Sequence, residues 1–384
     1  MKRMVLHFTI IIFSIAFLFV ANRIATSGLT LFTMAGDIET AQSIVLEVLS
    51  TDIAEIMLSD GTFIEDINIT FTARITSGPH RNETITATQN LNTYFLSLPE
   101  VVEPGDRVLL MSSGWGWFFM DYFRLYTMMI ASAAFLALLI LFGKTKGVNA
   151  ILGLCLTGTA IFAVLIPAVL AGGNIYTWSV VVCVYAITAT LFIVGGVNKK
   201  SAAAALGCLG GLLVTGIFAA LMDNILGLTG AISQEARHLL FWEQNINLRA
   251  LIFAAVIIGA TGAMMDVSMS IASALWEIQL KVPDASFRSV FTSGLNIGRD
   301  ILGTMINTLM LAYISSSLAA ILLISSNAFS VVELLNREFI IVEILLALSG
   351  GLGVFLTIPL TALICGGIFT WQSMYPDDYN KHTS

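Results

Sequence analysis

Charge is scarce in this sequence: 11% of its 384 residues are Asp, Glu, Lys or Arg, whereas 57% are hydrophobic. Soluble domains carry about 25% charged and roughly 45 to 50% apolar residues, so an ordinary water-soluble fold is excluded. Cysteine is sparser still. Cys155, Cys183, Cys208 and Cys365 all lie in apolar runs, which excludes a disulfide framework and leaves them as small packing residues. The four histidines, His7, His80, His238 and His382, are scattered. No Walker A, HExxH, GxSxG, CxxC or GxGD pattern occurs. Hydrolytic and ATP-driven chemistry therefore has no support, and the chain reads as a non-enzyme without metal or cofactor.

Long apolar runs are what the sequence does have, and its mean hydropathy is +0.88. A helix needs about 20 mostly apolar residues to cross a bilayer, and eight windows meet that length: 4–21, 122–142, 148–171, 175–195, 202–225, 251–276, 301–325 and 339–369. The first follows Lys2 and Arg3 and lacks a small-residue cleavage site, so it reads as an uncleaved anchor. With eight spans, Lys2, Lys144, Lys146, Lys199, Lys200, Lys281 and Lys381 fall on one side. The positive-inside rule makes that side cytoplasmic and puts both termini there.

Residues 26–118 differ in kind. Ile67, Ile69, Phe71, Ala73 and Ile75 alternate as on one face of a strand, and turn signals sit at Asp60-Gly61, Ser77-Gly78-Pro79 and Glu103-Pro104-Gly105-Asp106. Strands are expected near 43–49, 53–58, 67–76, 83–88 and 107–112, making a small all-β domain, OB-like or a sandwich, on the extracytoplasmic side. It holds twelve Asp or Glu against three Arg and no Lys, net −9, which leaves the rest of the chain at +2. Nucleic acid is thereby excluded as a partner. The expected organisation is an anchor at 1–25, the β domain at 26–118 and a seven-helix bundle at 119–384.

Candidate chemistry sits in the sixth and seventh spans. Gly259, Gly262, Asp266, Ser270, Ser273 and Glu277 recur every three or four residues, forming one helical stripe with Met264, Met265 and Met269 largely beside it. An Asp at mid-membrane costs about 2.5 to 3.5 kcal/mol on insertion scales, so this stripe is expected to face other helices or a hydrated cavity. The plainer account is close helix packing with interhelical hydrogen bonds. In the seventh span, Asp300, Thr304 and Asn307 share a face, with Arg299, Thr308 and Tyr313 nearby. Gly207, Gly211 and Thr215 make a small-residue seam in the fifth span, expected to permit close packing. Phe287, Val290, Phe291 and Leu295 suggest an amphipathic interfacial helix weakened by Ser293 and Gly294.

Several blocks resemble the YibE/F family of bacterial multispanning membrane proteins: ITSGPHRNETITATQN and PGDRVLL in the β domain, then GATGAMMDVSMSIASALWEI, SGLNIGRDILGTMINTLMLAY and TIPLTALI. The resemblance implies a polytopic protein of the bacterial plasma membrane. Its polar motifs fall on Asp266, Ser270, Ser273, Arg299, Asp300, Asn307 and Thr308. The functional expectation is a secondary permease, proton- or cation-coupled, for a small solute or ion. In it, Asp266 binds the coupling ion, with Ser270 and Ser273 beside it, while Asp300, Thr304, Asn307 and Thr308 shape the path. The competing expectation is a non-transporting envelope receptor or scaffold whose β domain binds a ligand. Partners expected are the lipid bilayer and the solute, with a homo-oligomer or a second family member compatible with either reading.

Overall fold

The computed structural model describes residues 2–26, 39–57, 63–92, 100–233, 236–239, 246–326 and 330–374. The chain divides into two compact units, Phe32–Leu139 and Met1–Leu31 with Ile140–Ser384.

In the first unit, five strands close a barrel in the order β1-β2-β3-β5-β4, the strand number of OB-type barrels. They are β1 (Glu39–Met57), β2 (Phe63–Ile75), β3 (Thr84–Asn92), β4 (Arg107–Ser113) and β5 (Gly116–Tyr122). Alternation does what the sequence led one to expect. Ile69, Phe71, Ala73 and Ile75 point inward with no exposed surface, joined by Val45, Val108 and Leu110. Fully buried Gln89 ties the wall to the following segment, donating to the Glu100 carbonyl at 3.1 Å and accepting from Val102 N–H at 3.1 Å. Two expectations need correction. The strands expected at 43–49 and 53–58 are one strand, because β1 absorbs its irregularities as register shifts at Val45/Glu47 and Val48/Ser50 while staying paired with β2. The strand β5 had been missed altogether.

The helices are α1 (Lys2–Ala25), α2 (Leu125–Gly143), α3 (Thr145–Ala160), α4 (Ile166–Leu170), α5 (Ile175–Gly195), α6 (Lys199–Leu226), α7 (Leu248–Lys281), α8 (Phe287–Ser316), α9 (Leu318–Ser326), α10 (Val331–Leu335) and α11 (Glu338–Met374). One π-helical turn, Ile161–Leu165, joins α3 to α4 just ahead of Pro167. Side-chain caps set several starts: Asn174, Asn198, Asn247 and Ser286 each accept from the N–H three residues on, satisfying donors that a helix start leaves orphaned. Gly227, at φ 59°, closes α6 in the left-handed region.

Seven helical runs among the described residues are long and apolar enough to cross a membrane: those of α1, α2, α3–α4, α5, α6, α7 and α11. The eighth expected span, 301–325, is not one continuous apolar run. Residues 301–316 belong to α8 and 318–325 to α9; α8 has the length at 30 residues but is not apolar enough to stand among the seven, since Arg299, Asp300, Thr304, Asn307 and Thr308 interrupt it. The helix begins earlier than expected, at Phe287, and ends at Ser316, with α9 starting two residues later. Gly294 does not weaken it. A Cβ there would lie 2.6 Å from that of Ala362 on α11, so the glycine permits close packing instead.

The core of the second unit is built around α6, α7 and α11. Met264, Val267, Ile271 and Leu275 of α7 are fully buried, with Cys208 of α6 and Val354 and Cys365 of α11. The seam of Gly207 and Gly211 meets Thr361 and Thr357 of α11, so closely that a Cβ on Gly207 would lie 2.8 Å from the Thr361 Cα. Small residues let two backbones approach where lipid supplies no hydrophobic drive between helices. Pro359 sits inside α11 without ending it.

Candidate functional site

The apolar face of α7 determines where its polar face lies. Met264, Val267, Ile271 and Leu275 follow one another by three or four residues and enter the core. At about 100° per residue, Gly259, Gly262, Asp266, Ser270 and Glu277 must then lie on the opposite side. All five are exposed, and Ser273 is half-buried. Nothing lies within 4 Å of where a Gly262 Cβ would be. The Asp266 carboxylate has no hydrogen bond or ion pair among the described residues.

On α8 the pattern repeats. Val290, Gly294, Gly298 and Leu309 are buried, while Asp300, Gly303, Thr304, Asn307 and Thr308 are exposed. The Thr304 hydroxyl donates to the Ile301 carbonyl and that of Thr308 to the Thr304 carbonyl, both at 2.9 Å. Each keeps its acceptor capacity. Asp300 and Asn307 have no side-chain hydrogen bond among the described residues, and Arg299 forms no ion pair there.

These stripes share a depth. Helices α7 and α8 approach at one end where a Cβ on Gly294 would meet Leu275 at 3.0 Å, and at the other where one on Gly259 would meet the Tyr313 hydroxyl at 2.5 Å. At 1.5 Å per residue, Asp266 stands about 14 Å from Leu275 and Thr304 about 15 Å from Gly294. Asp266 and the Thr304–Asn307 turn are thus level along the pair. No hydrogen bond joins the two stripes among the described residues.

Two polar groupings were not assembled from the sequence, although Tyr313 of the first stands among the polar residues it offered. Tyr313 of α8, Ser317 and Glu343 of α11 line a cavity of about 250 Å³ with otherwise apolar walls. The Tyr313 Oη, Ser317 Oγ and Glu343 Oε2 atoms are buried and without a hydrogen-bond partner among the described residues. The available signal was a lone Glu just inside the last apolar run. The second cluster sets the Tyr176 hydroxyl in the neighbourhood of the Asp223 carboxylate and of Arg249; the Asp223 Oδ1 atom is buried and without a hydrogen-bond partner among the described residues. Nearby in sequence, Glu338 accepts from Thr229 N–H at 2.6 Å and Gly230 N–H at 2.8 Å, and from the Thr229 hydroxyl at 2.6 Å. That arrangement clamps the turn after α6. No cluster of three or more metal-ligating side chains is found among the described residues.

Seven membrane-crossing runs around a core of close-packed helices define a polytopic, membrane-embedded protein. More narrowly, residues 131–371 match the YibE/F-like protein family, and the chain belongs to that family. The match covers α7, α8 and α11, and hence both polar stripes. No curated protein and no solved structure matches the chain.

Proposed function

We propose that this protein is a secondary permease of the bacterial plasma membrane, with Asp266 carrying the coupling proton or cation and the α8 face of Asp300, Thr304, Asn307 and Thr308 forming the other wall of the path. The observation behind this reading is the exposure of Asp266 and Ser270 at mid-length of a 34-residue apolar helix. Lipid cannot solvate a carboxylate at that depth without a cost of several kcal/mol. Water or another protein surface therefore covers the stripe in the working assembly. A second copy or a second family member closes the path from outside, and the polar groups line its hydrated inner side. With α8 counted as an eighth crossing beside α7, lysine placement supports N- and C-termini in the cytoplasm and the barrel on the opposite side.

Proteoliposomes with an entrapped pH indicator test this. Imposed gradients of inorganic cations, small organic acids and amino acids are expected to drive lumenal pH changes through the wild type, and Asp266→Asn is expected to abolish them while inserting normally. Equal responses from both proteins contradict the assignment. The competing reading, a non-transporting envelope receptor or scaffold, is favoured by the polar cavity in the barrel described next. It predicts ligand binding with no flux under any gradient.

A further inference from the structure

At the base of the barrel a cavity of about 220 Å³ is lined by Gln42, Ser43, Thr76, Arg107, Phe123 and Tyr126, around Ile44. Ser43 itself is 1% exposed and pairs with buried Ile75 and Val108, so its side chain faces the barrel interior, and Gln42, Ile44 and Arg107 form the outer face of the cavity. The Arg107 guanidinium lies over the Tyr126 ring, 5.5 Å from its centroid, and pairs with no carboxylate among the described residues. That is notable in a segment, 26–118, with twelve Asp or Glu and three Arg. Arg124, by contrast, takes Asp121 at 3.0 Å.

Strand register brings a second cation alongside. Ile44 pairs with Arg74 on one side and Arg107 on the other. Residues directly opposite in a ladder share a face, and strands lie about 4.8 Å apart, so the two arginine Cα atoms are roughly 10 Å from each other. Arg74 also has no ion pair among the described residues. The Gln42 side-chain amide is likewise unengaged among the described residues, and Thr76 uses its hydroxyl proton on the Gln42 carbonyl at 3.0 Å. Donors outnumber acceptors around the cavity, and the surplus suits an anion with several oxygens.

Chain connectivity gives the depth. The Phe123 N–H donates to the Arg107 carbonyl at 2.8 Å, and α2, a membrane-crossing run, starts at Leu125. The cavity therefore stands where the chain enters the bilayer, at the level of lipid headgroups, with Phe123 and Tyr126 as interfacial aromatics. We propose that this cavity binds a phosphate-class oxyanion, supplied by a phospholipid headgroup, through Arg107 and Gln42, with Arg74 alongside. The site does not depend on the permease reading.

Full-length wild type is compared with Arg107→Gln, Arg107→Lys and Gln42→Ala, and with Arg124→Gln as a control at an arginine that does not line the cavity and is already paired with Asp121. Retention of added phosphatidylglycerol is read by native mass spectrometry, and inorganic phosphate binding by equilibrium dialysis; thermal unfolding checks that each variant is folded. Wild type and Arg124→Gln are expected to hold the lipid alike. Affinity should fall about tenfold or more in Arg107→Gln, less in Arg107→Lys, and a few-fold in Gln42→Ala. Phosphate binding with the same sensitivity identifies free phosphate as a second source of the same anion; lipid binding alone identifies the headgroup. No binding of either by wild type, or equal binding by wild type and a folded Arg107→Gln, overturns the proposal.

Discussion

Adding one methyl group at two glycines, Gly207 of α6 and Gly262 of α7, separates the packed face of the bundle from its open one. In Gly207→Ala the new Cβ would lie 2.8 Å from the Thr361 Cα and closer still to its hydroxyl. Carbon contacts relax at about 3.5 Å or more, so α6 and α11 must part by roughly 0.7 Å along their closest seam. Overpacking of this kind costs about 1 to 3 kcal/mol, against up to about 1 kcal/mol gained by Ala over Gly in a helix. Gly262→Ala meets nothing within 4 Å and keeps the helical gain alone. The two variants should therefore differ by about 1 to 3 kcal/mol, with Gly207→Ala the less stable. At about 2 to 4 °C per kcal/mol for a domain of this size, the gap in unfolding temperature is on the order of 5 °C. Scanning fluorimetry in one detergent, at matched heating rates, measures it. Equal melting, or a larger loss at Gly262, would falsify the assignment of Gly262 and Asp266 to an open face.

Other substitutions probe the core and the turn after α6. Met264→Ala empties a fully buried position between Gly211, Thr215 and Gly353 and should cost about 2 to 5 kcal/mol; urea titration of the detergent-solubilised protein would show a loss below 1 kcal/mol if the site were loosely packed. Glu338→Ala removes three charge-assisted hydrogen bonds from a partly exposed site. It should cost about 2 kcal/mol and hasten amide exchange at Thr229 and Gly230, whereas unchanged exchange there would count against the clamp.

Much of this architecture was legible because membrane helices and barrel strands obey simple periodicities. The alternation from Ile69 to Ile75 placed those side chains inside the barrel, and the Gly207, Gly211 and Thr215 seam announced a close helix contact. Continuity was harder to read. Ser50-Thr51-Asp52 looks like a break, yet Thr51 and Asp52 stay paired with Ile69 and Asn68, because the partner strand supplies hydrogen bonds that local propensity ignores. Similarly, Trp117, Phe118 and Phe119 read as the approach to a membrane span but pair as β5 with β4. For the candidate path, sequence showed that Asp266, Ser270 and Glu277 share a face. It could not show which neighbours that face lacks. That depends on how strongly Met264, Val267 and Ile271 compete for the core, a property of α6 and α11 as much as of α7. The meeting of Glu343 with Tyr313 escaped for a related reason: they are far apart in the chain, and only tertiary packing brings them to one cavity.

Water access to the Asp266 stripe bears most directly on the central claim. Cys155, the one exposed cysteine of the four, is replaced by Ser, and single cysteines are placed at Gly262, Asp266 and Ser270. Two controls are added: Val267, fully buried, and Leu213, 63% exposed on an apolar face of α6. Reconstituted in lipid vesicles, the three stripe positions should react with a membrane-impermeant thiol reagent that needs the hydrated thiolate, and the two controls should not. If the stripe positions stay as unreactive as Leu213→Cys, no aqueous path runs along α7 and the permease account is wrong.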